Sequence, residues 1–403
     1  MVTLADAFGQ FGAGYLATHR LTTSQAKAWR AIVACRTRAL GGQQLACDRC
    51  HHRHWQYHSC RNRHCPQCGA RAKDAWLQGR VAEALPVPYV HLVFTLPHDL
   101  NGLYGAKPRW VIDTLFRATA ETLTEFAANG QWIRRAEGGK GGLYPAFTLM
   151  LHTWTQDLRR HIHVHAVMAA GALDGDGHWC RPTRKPDFLF PVQALSSVFR
   201  GKFMAALHRA HQDGQLADDP APTDAAWRAR QRALYRQPWV VYAKAPLGGS
   251  VQVLEYLSRY THRAAISNER MVAINAREVV LSVRANANGG KRRIRLDGEE
   301  FVRRFLLHVL PTGIKRIRHY GLLASACKTK RLDEARAALA MPTLHPAVLE
   351  SASDFMRRVA GVAVLRCPCC AQGQLRVVQT LRGMSRLPVP GAARLLVACR
   401  GPP

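Results

Sequence analysis

Two Cys-x-x-Cys pairs, Cys47-Asp-Arg-Cys50 and Cys65-Pro-Gln-Cys68, stand close together in this chain. Thiolates three positions apart can face one ion across a tight turn. Two such knuckles joined by a short loop can close a tetrahedral shell around Zn²⁺. A metal shell of this kind constrains the fold more than any apolar pattern, because the chain must bring the sulfurs together to fold at all. The expected ligands of a structural zinc are Cys47, Cys50, Cys65 and Cys68, with Cys60 next. His51, His52, His54, His58 and His64 share the block, so the ligand set and the presence of a second zinc stay open. A closed four-thiolate site has no open position for substrate, so this module is expected to fold the chain, not to catalyse.

The remaining cysteines are scattered. Cys35 lies apart from the block and reads as core. Cys367-Pro-Cys369-Cys370 resembles half a knuckle, with Cys399 a lone candidate for the missing half.

Lys and Arg number 57 against 27 Asp and Glu, a formal net charge of +30. A globular chain this basic is expected to meet a polyanion. There is no run of about 18 apolar residues, as a spanning helix needs, and the start "MVTLADAFGQFGAGYLATHR" lacks the pattern of a secretory signal. The chain therefore reads as intracellular and cytoplasmic, with nucleic acid rather than membrane as its partner. Disulfides are not expected there. Arg49, Arg53, Arg61, Arg63 and Arg71 beside the knuckles suit phosphate contacts. The bland alternative is a charge that only solubilises.

Periodicity places helices over residues 24–37 (capped by Ser24), 72–85, 108–128, 196–211, 251–263 and 301–310. Strands are expected at "YVHLVFTL", "PAFTLMLHTW", "RHIHVHAVMAAG" and "WVVYAK", followed by a late meander in "MVAINAREVVLSVRA" and "KRRIRLDG". Strands scattered among helices favour an α+β fold. The expected division is a helix and zinc module over 1–85, a main domain over 86–330 and a C-terminal helical segment and tail over 331–403. The acidic, proline-bearing "DGQLADDPAPTD" (213–224) reads as a flexible insertion. Neither a Walker A pattern nor G-x-G-x-x-G is present, so no nucleoside triphosphate is expected as a partner.

In "LRRHIHVHAVM", His161, His163 and His165 occupy alternate positions. On a strand they share one face, and His163 and His165 can hold one ion between them. Alone, the pair reads first as a polar stripe on an ordinary strand and only second as a metal site. In "EYLSRYTHR", Tyr256 and Tyr260 stand four apart, on one face of the expected helix, with Arg259, His262 and Arg263 around them as groups suited to phosphate. Two such phenols could attack two phosphodiesters in turn, or could anchor a helix to the core.

Together these motifs resemble the two-tyrosine HUH transposases of rolling-circle insertion sequences, the insertion sequence ninety-one group. The resemblance rests on "HVH" at His163–His165 and "YLSRY" at Tyr256–Tyr260. It extends to "SCRNRHCPQC", "VFTLPHDL", "LHTWTQDLRRHIHVH" and "RFLLHVLPTGIKRIRHYG", and spans roughly residues 35–330.

What the resemblance implies is an HUH-type nuclease domain with a central antiparallel sheet, in a bacterial, nucleoid-associated enzyme acting on single-stranded DNA termini. His163 and His165 would bind Mg²⁺ or Mn²⁺, with His152, Gln156 or His161 as third ligand. Tyr256 and Tyr260 would be the nucleophiles, and Arg61, Arg63, Arg259 and Arg263 would contact DNA. Energy would be conserved in a 5′-phosphotyrosine. A related replication initiator or relaxase, and a non-catalytic zinc-dependent DNA-binding protein, are the competing readings.

Overall fold

The computed structural model describes residues 2–135, 141–184, 189–216, 223–244, 265–285, 289–342, 350–361 and 363–384. Helix α1 (Leu4–Thr18) begins at a capping box in which Thr3 and Asp6 satisfy each other's backbone N–H groups. Helix α2 (Thr23–Ala34) repeats the device with Thr22 and Gln25. The cap is thus Thr22, and Ser24 sits in the first turn. Sequence periodicity missed α1 because its glycines weaken the helical signal. Gly12 has a packing reason, since a Cβ there would lie 2.6 Å from the Trp29 indole.

A hairpin follows, β1 (Gly42–Cys47) and β2 (Arg53–Tyr57), then α3 (Ala70–Ala82). Strand β3 (Tyr89–Thr95) stops before Pro97, and the short α4 (Asn101–Ala106) leads to α5 (Pro108–Ala128), which opens with proline in its first turn. The short β4 (Ile133–Arg134) precedes two long strands, β5 (Tyr144–Trp154) and β6 (Arg160–Leu173). After β7 (Trp179–Pro182) come α6 (Val192–Gln212) and α7 (Asp224–Arg236), capped by Thr223. The middle of the expected insertion at 213–224, residues 217–222, lies outside those described; its ends run on from α6 and into α7. Strand β8 (Val241–Lys244) ends the first half.

The expected meander is present as β9 (Met271–Ile274), β10 (Glu278–Arg284) and β11 (Lys291–Asp297). Helix α8 (Gly298–Leu306) follows, with Asp297 accepting from the N–H groups of Glu299 and Glu300. Then come β12 (Ile317–Gly321), α9 (Lys328–Ala338), α10 (Ala352–Ala360) and β13 (Leu375–Leu381).

The main sheet runs β12-β5-β6-β3-β8, with β7 added along β6, and every pairing is antiparallel. This is the expected α+β architecture. Ile162, Val164, Ala166 and Met168 of β6 face one way, into a core closed by α5 and α6 through residues such as Leu115, Phe116, Phe199 and Phe203. The alternate residues face the other way. There, Val167 and Ala169 are covered by Leu332 and Ala335 of α9, while His163 and His165 lie nearer the strand's start. A second core joins α1 and α2 to β9, β10 and α8. The β11-β10-β9 sheet is thereby fixed beside the main one. A third sheet, β13-β1-β2, joins the C-terminal strand to the N-terminal hairpin, across the boundaries expected at 85 and 330.

His308, just after α8, bridges these parts. Its Nε2 donates to the Leu158 carbonyl at 3.0 Å and its Nδ1 accepts from Thr153 Oγ1 at 3.2 Å. Burial holds its pKa down to about 4. Burial, aided by Arg80 and Lys328, does the same for His319. Both groups are neutral in the fold and take up protons near pH 6.5 once unfolded. Their contribution is therefore complete above about pH 6.5 and is lost as pH falls towards 4, on the order of 3 kcal/mol for His308. Urea unfolding followed between pH 7.5 and 4 should show this loss. His308→Gln, which cannot titrate, should be less stable at pH 7.5 and show a flatter slope. An unchanged slope would contradict the assignment.

Candidate metal centres and the cleft beside them

The antiparallel registers decide which histidines meet. Residues directly opposite in such a pair project to the same face. His163 of β6 pairs with His152 of β5 on one side and with Thr95 of β3 on the other. His165 pairs with Met150 and Val93. His152, His163 and His165 thus come together, each offering a nitrogen within 4.8 Å of the others. The His152 ring lies 5.3 Å from that of His163 and 4.4 Å from that of His165.

Neighbouring groups orient these rings. His163 Nδ1 donates to the His161 carbonyl at 3.0 Å, which leaves Nε2 as the atom that could coordinate a metal. His165 Nδ1 shares a 2.8 Å hydrogen bond with His91 Nε2, from a diagonal position on β3. The His152 ring stacks on Trp154 at 4.9 Å, and the Arg316 guanidinium lies over that indole at 5.2 Å. Burial depresses the pKa of His163 to about 4 and that of His165 well below its ordinary value, with neighbouring histidines adding to both shifts. The two imidazoles are neutral near pH 7, the form that binds a metal. The donor set therefore fits a divalent cation.

Of the three candidates for third ligand, His152 is the one in this cluster. The His161 ring lies outside the three-nitrogen group, beside His98, and its contribution to the cluster is the backbone carbonyl that orients His163. Gln156 is near, but its Oε1 accepts from the Arg284 backbone N–H at 2.6 Å.

The histidines open into a cleft of about 400 Å³ between the main sheet and the β9–β11 sheet. Arg270, Arg284 and Lys291 line it, with Glu269 the acidic group among the lining residues. Arg270 donates to the carbonyls of Ser282 and Gln156 and so ties the two walls together. Sequence reasoning missed these cations, since they lie more than 100 residues beyond His165 and become its neighbours only through the second core. It also missed His91, a lone polar residue in an otherwise apolar strand, which was the available signal.

The cysteines correct the expected zinc shell. Cys47, Cys50, Cys65 and Cys68 do not surround one point. Cys65 and Cys68 gather with Cys35 and Cys60, while Cys47 and Cys50 gather with Cys367 and Cys370. The reason is the hairpin. Cys47 ends β1 at the turn, and β2 then runs back until Tyr57 pairs with Gly42. Five or six residues at about 3.4 Å each put the two knuckles roughly 17–20 Å apart, at opposite ends. Cys35, which precedes β1, and Cys60, which follows β2, both sit at the far end. Cys35 is therefore a member of the thiol cluster, not simple core. Its Sγ is 3.1 Å from Cys68 Sγ, and Cys60 Sγ is 3.6 Å from the same atom.

Arg61 lines a second cleft, with Arg71 and Arg316. Arg63 donates to the carbonyls of Ile314 and Pro311, joining this module to the loop before β12. Tyr256, Tyr260, Arg259 and Arg263, with the helix expected around them, lie outside the described residues, as does Cys399.

The chain matches two family descriptions, "Transposase zinc-binding domain" over residues 7–96 and "Putative transposase" over residues 146–331. The Sinorhizobium fredii protein named "Putative transposase y4qJ" is 38% identical over 395 residues, 96% of this chain and 97% of its own length. The "Transposase for insertion sequence element IS801" of Pseudomonas savastanoi pv. phaseolicola is 27% identical over 347 residues, covering 84% of this chain and 80% of that protein. Among solved structures, conjugative relaxase TrwC in complex with oriT DNA is similar at a TM-score of 0.23 and 17% identity, over 42% of this chain and 71% of that one. Among the described residues, no helix is long and apolar enough to cross a membrane.

The three-imidazole arrangement predicts a graded response to mutation. Calorimetric titration with Mn²⁺ should show losses of about tenfold or more for His152→Ala and for His163→Ala. His161→Ala keeps its carbonyl and should stay within about threefold. Equal losses at His161 and His152 would contradict the assignment.

Proposed function

Because the chain belongs to the rolling-circle transposase family of the insertion sequence ninety-one group, with an N-terminal zinc-binding domain, we propose that it cuts and rejoins single-stranded DNA by tyrosine attack at the histidine-lined cleft. The phenolic oxygen of Tyr256 or Tyr260 attacks the scissile phosphorus. A tyrosine O–P bond forms as the P–O3′ bond breaks, and the departing oxygen takes a proton to become a free 3′-hydroxyl. One phosphodiester replaces another, so no nucleotide hydrolysis is needed. The second tyrosine permits the return step or transfer to a new strand.

The observation that carries this reading is the convergence of three imidazoles and three cations on one cleft. A divalent cation held by His152, His163 and His165 would supply Lewis-acid polarisation of the phosphate. An all-imidazole donor set suits Mn²⁺ better than Mg²⁺, which prefers oxygen ligands. Lys291, Arg284 and Arg270 face the same space and would hold the phosphates on either side of the scissile one. Ala265, five positions after Tyr260, lines the cleft, and five residues of chain reach at most about 17 Å.

The test uses end-labelled single-stranded DNA carrying the element's terminal sequence, incubated with the full chain and Mn²⁺. A covalent protein–DNA adduct is expected, lost in the double change Tyr256→Phe, Tyr260→Phe. An adduct that survives this change would refute the nucleophile assignment. No adduct from wild-type protein would favour a non-catalytic DNA-binding role. In a binding titration, Lys291→Ala should reduce the slope of log affinity against log salt by about 0.7, the value for one phosphate contact on a single strand. An unchanged slope would remove Lys291 from the DNA path.

A further inference from the structure

We propose that Cys47, Cys50, Cys367 and Cys370 hold a zinc ion of their own, in addition to one that Cys35, Cys60, Cys65 and Cys68 are grouped to hold, and that this second ion clasps the C-terminal segment onto the N-terminal hairpin. The inference is independent of the tyrosine chemistry. Cys367 and Cys370 also lie outside both family-matched segments, 7–96 and 146–331.

Pairing of the strands dictates the meeting. β13 lies antiparallel to β1 with Leu375 opposite Cys47, so the knuckle just before β13 arrives at the turn end of the hairpin. Cys47 Sγ is 3.7 Å from Cys370 Sγ, and Cys50 Sγ is 3.6 Å from Cys367 Sγ. A tetrahedron with Zn–S bonds of 2.3 Å has edges of about 3.8 Å. The separations are far longer than a disulfide, so they match sulfurs grouped around an ion rather than bonded in pairs.

The backbone is shaped for thiolates. Arg49 N–H and Cys50 N–H approach Cys47 Sγ at 3.4 and 3.5 Å, and Gly373 N–H approaches Cys370 Sγ at 3.3 Å. Such donors stabilise sulfur in its charged form. His51 and Ala371, the residues after Cys50 and Cys370, have φ of 58° and 54°, a left-handed conformation uncommon outside glycine. The first cluster uses the same turn, with Arg36 after Cys35, Arg61 after Cys60 and Gly69 after Cys68. Gly373 also admits Cys47, because a Cβ at that position would overlap the sulfur.

Without metal this sheet has little to hold it. Its buried apolar cluster consists of Leu45, Cys47, Cys367 and Leu375, with Cys370 packed alongside. Val377 and Val378 of β13 are exposed. So small a core does not sustain an independent three-stranded sheet, and metal coordination is the usual substitute.

The test is metal content and thiol protection in the full chain. Plasma mass spectrometry of purified wild-type protein should find two zinc ions per chain, and the double change Cys367→Ser, Cys370→Ser should leave one. Alkylation mapped by peptide mass spectrometry gives a second reading on wild-type protein, valid even if the variant fails to fold. Cys369 is exposed and outside the cluster, so it should react at once. Cys47, Cys50, Cys367 and Cys370 should be protected, and should all become reactive when a chelator removes zinc. Two zinc ions retained by the double variant would overturn the proposal. So would Cys367 and Cys370 reacting as fast as Cys369 before chelation.

Discussion

The candidate active site depends on the register of three antiparallel strands, β5, β6 and β3. Side chains alternate with a period of two, so a slip of one residue would send His152, or both His163 and His165, to the apolar face. The buried side of β6, with Ile162, Val164, Ala166 and Met168 packed under α5 and α6, prevents that slip. The hydrophobic core therefore does positional work for the polar face. It fixes the row in which His152 stands opposite His163 and the diagonal along which His91 reaches His165.

The cleft combines two kinds of nitrogen. The β6 imidazoles are neutral because they are buried, whereas Arg270, Arg284 and Lys291 sit on the opposite wall. Neutral imidazoles are the form that suits a cation, and under the proposed function the arginines and lysine would draw in a polyanion. The two functions would conflict if the histidines were protonated. That second wall belongs to a sheet held in place by α1, α2 and α8, so the N-terminal helices support the cleft without contributing to its lining. The thiol clusters extend the same logic. One joins the end of α2 to the loop after β2, and the other joins the turn of the β1–β2 hairpin to the segment before β13.

Much of this was legible in the sequence, and the losses have identifiable causes. Alternation in "RHIHVHAVM" marked β6 and put its histidines on one face, and the limits Pro108 and Ala128 of α5 could be read from its proline and its periodicity. The antiparallel α+β arrangement followed from the scatter of strands. What failed were properties set by pairing across long separations. Cys35 looked like core because its cluster partner Cys60 lies beyond a whole hairpin. Cys367 and Cys370 looked like half a knuckle because the other half precedes them by more than 300 residues. The choice among His152, Gln156 and His161 required the β5–β6 register and the hydrogen bond that engages Gln156. Helix α1 was missed since its glycines serve packing against Trp29 and Glu299, which a single-sequence propensity argument cannot see.

The proposed chemistry requires a divalent cation among His152, His163 and His165. Crystals of the full chain soaked in Mn²⁺, with diffraction collected on both sides of the manganese edge, locate the ion without reference to activity. One manganese peak is expected among His152, His163 and His165, within coordinating distance of Nε2 of His163. A peak bound through Gln156 or the His161 ring, or no peak among the three imidazoles, would contradict it.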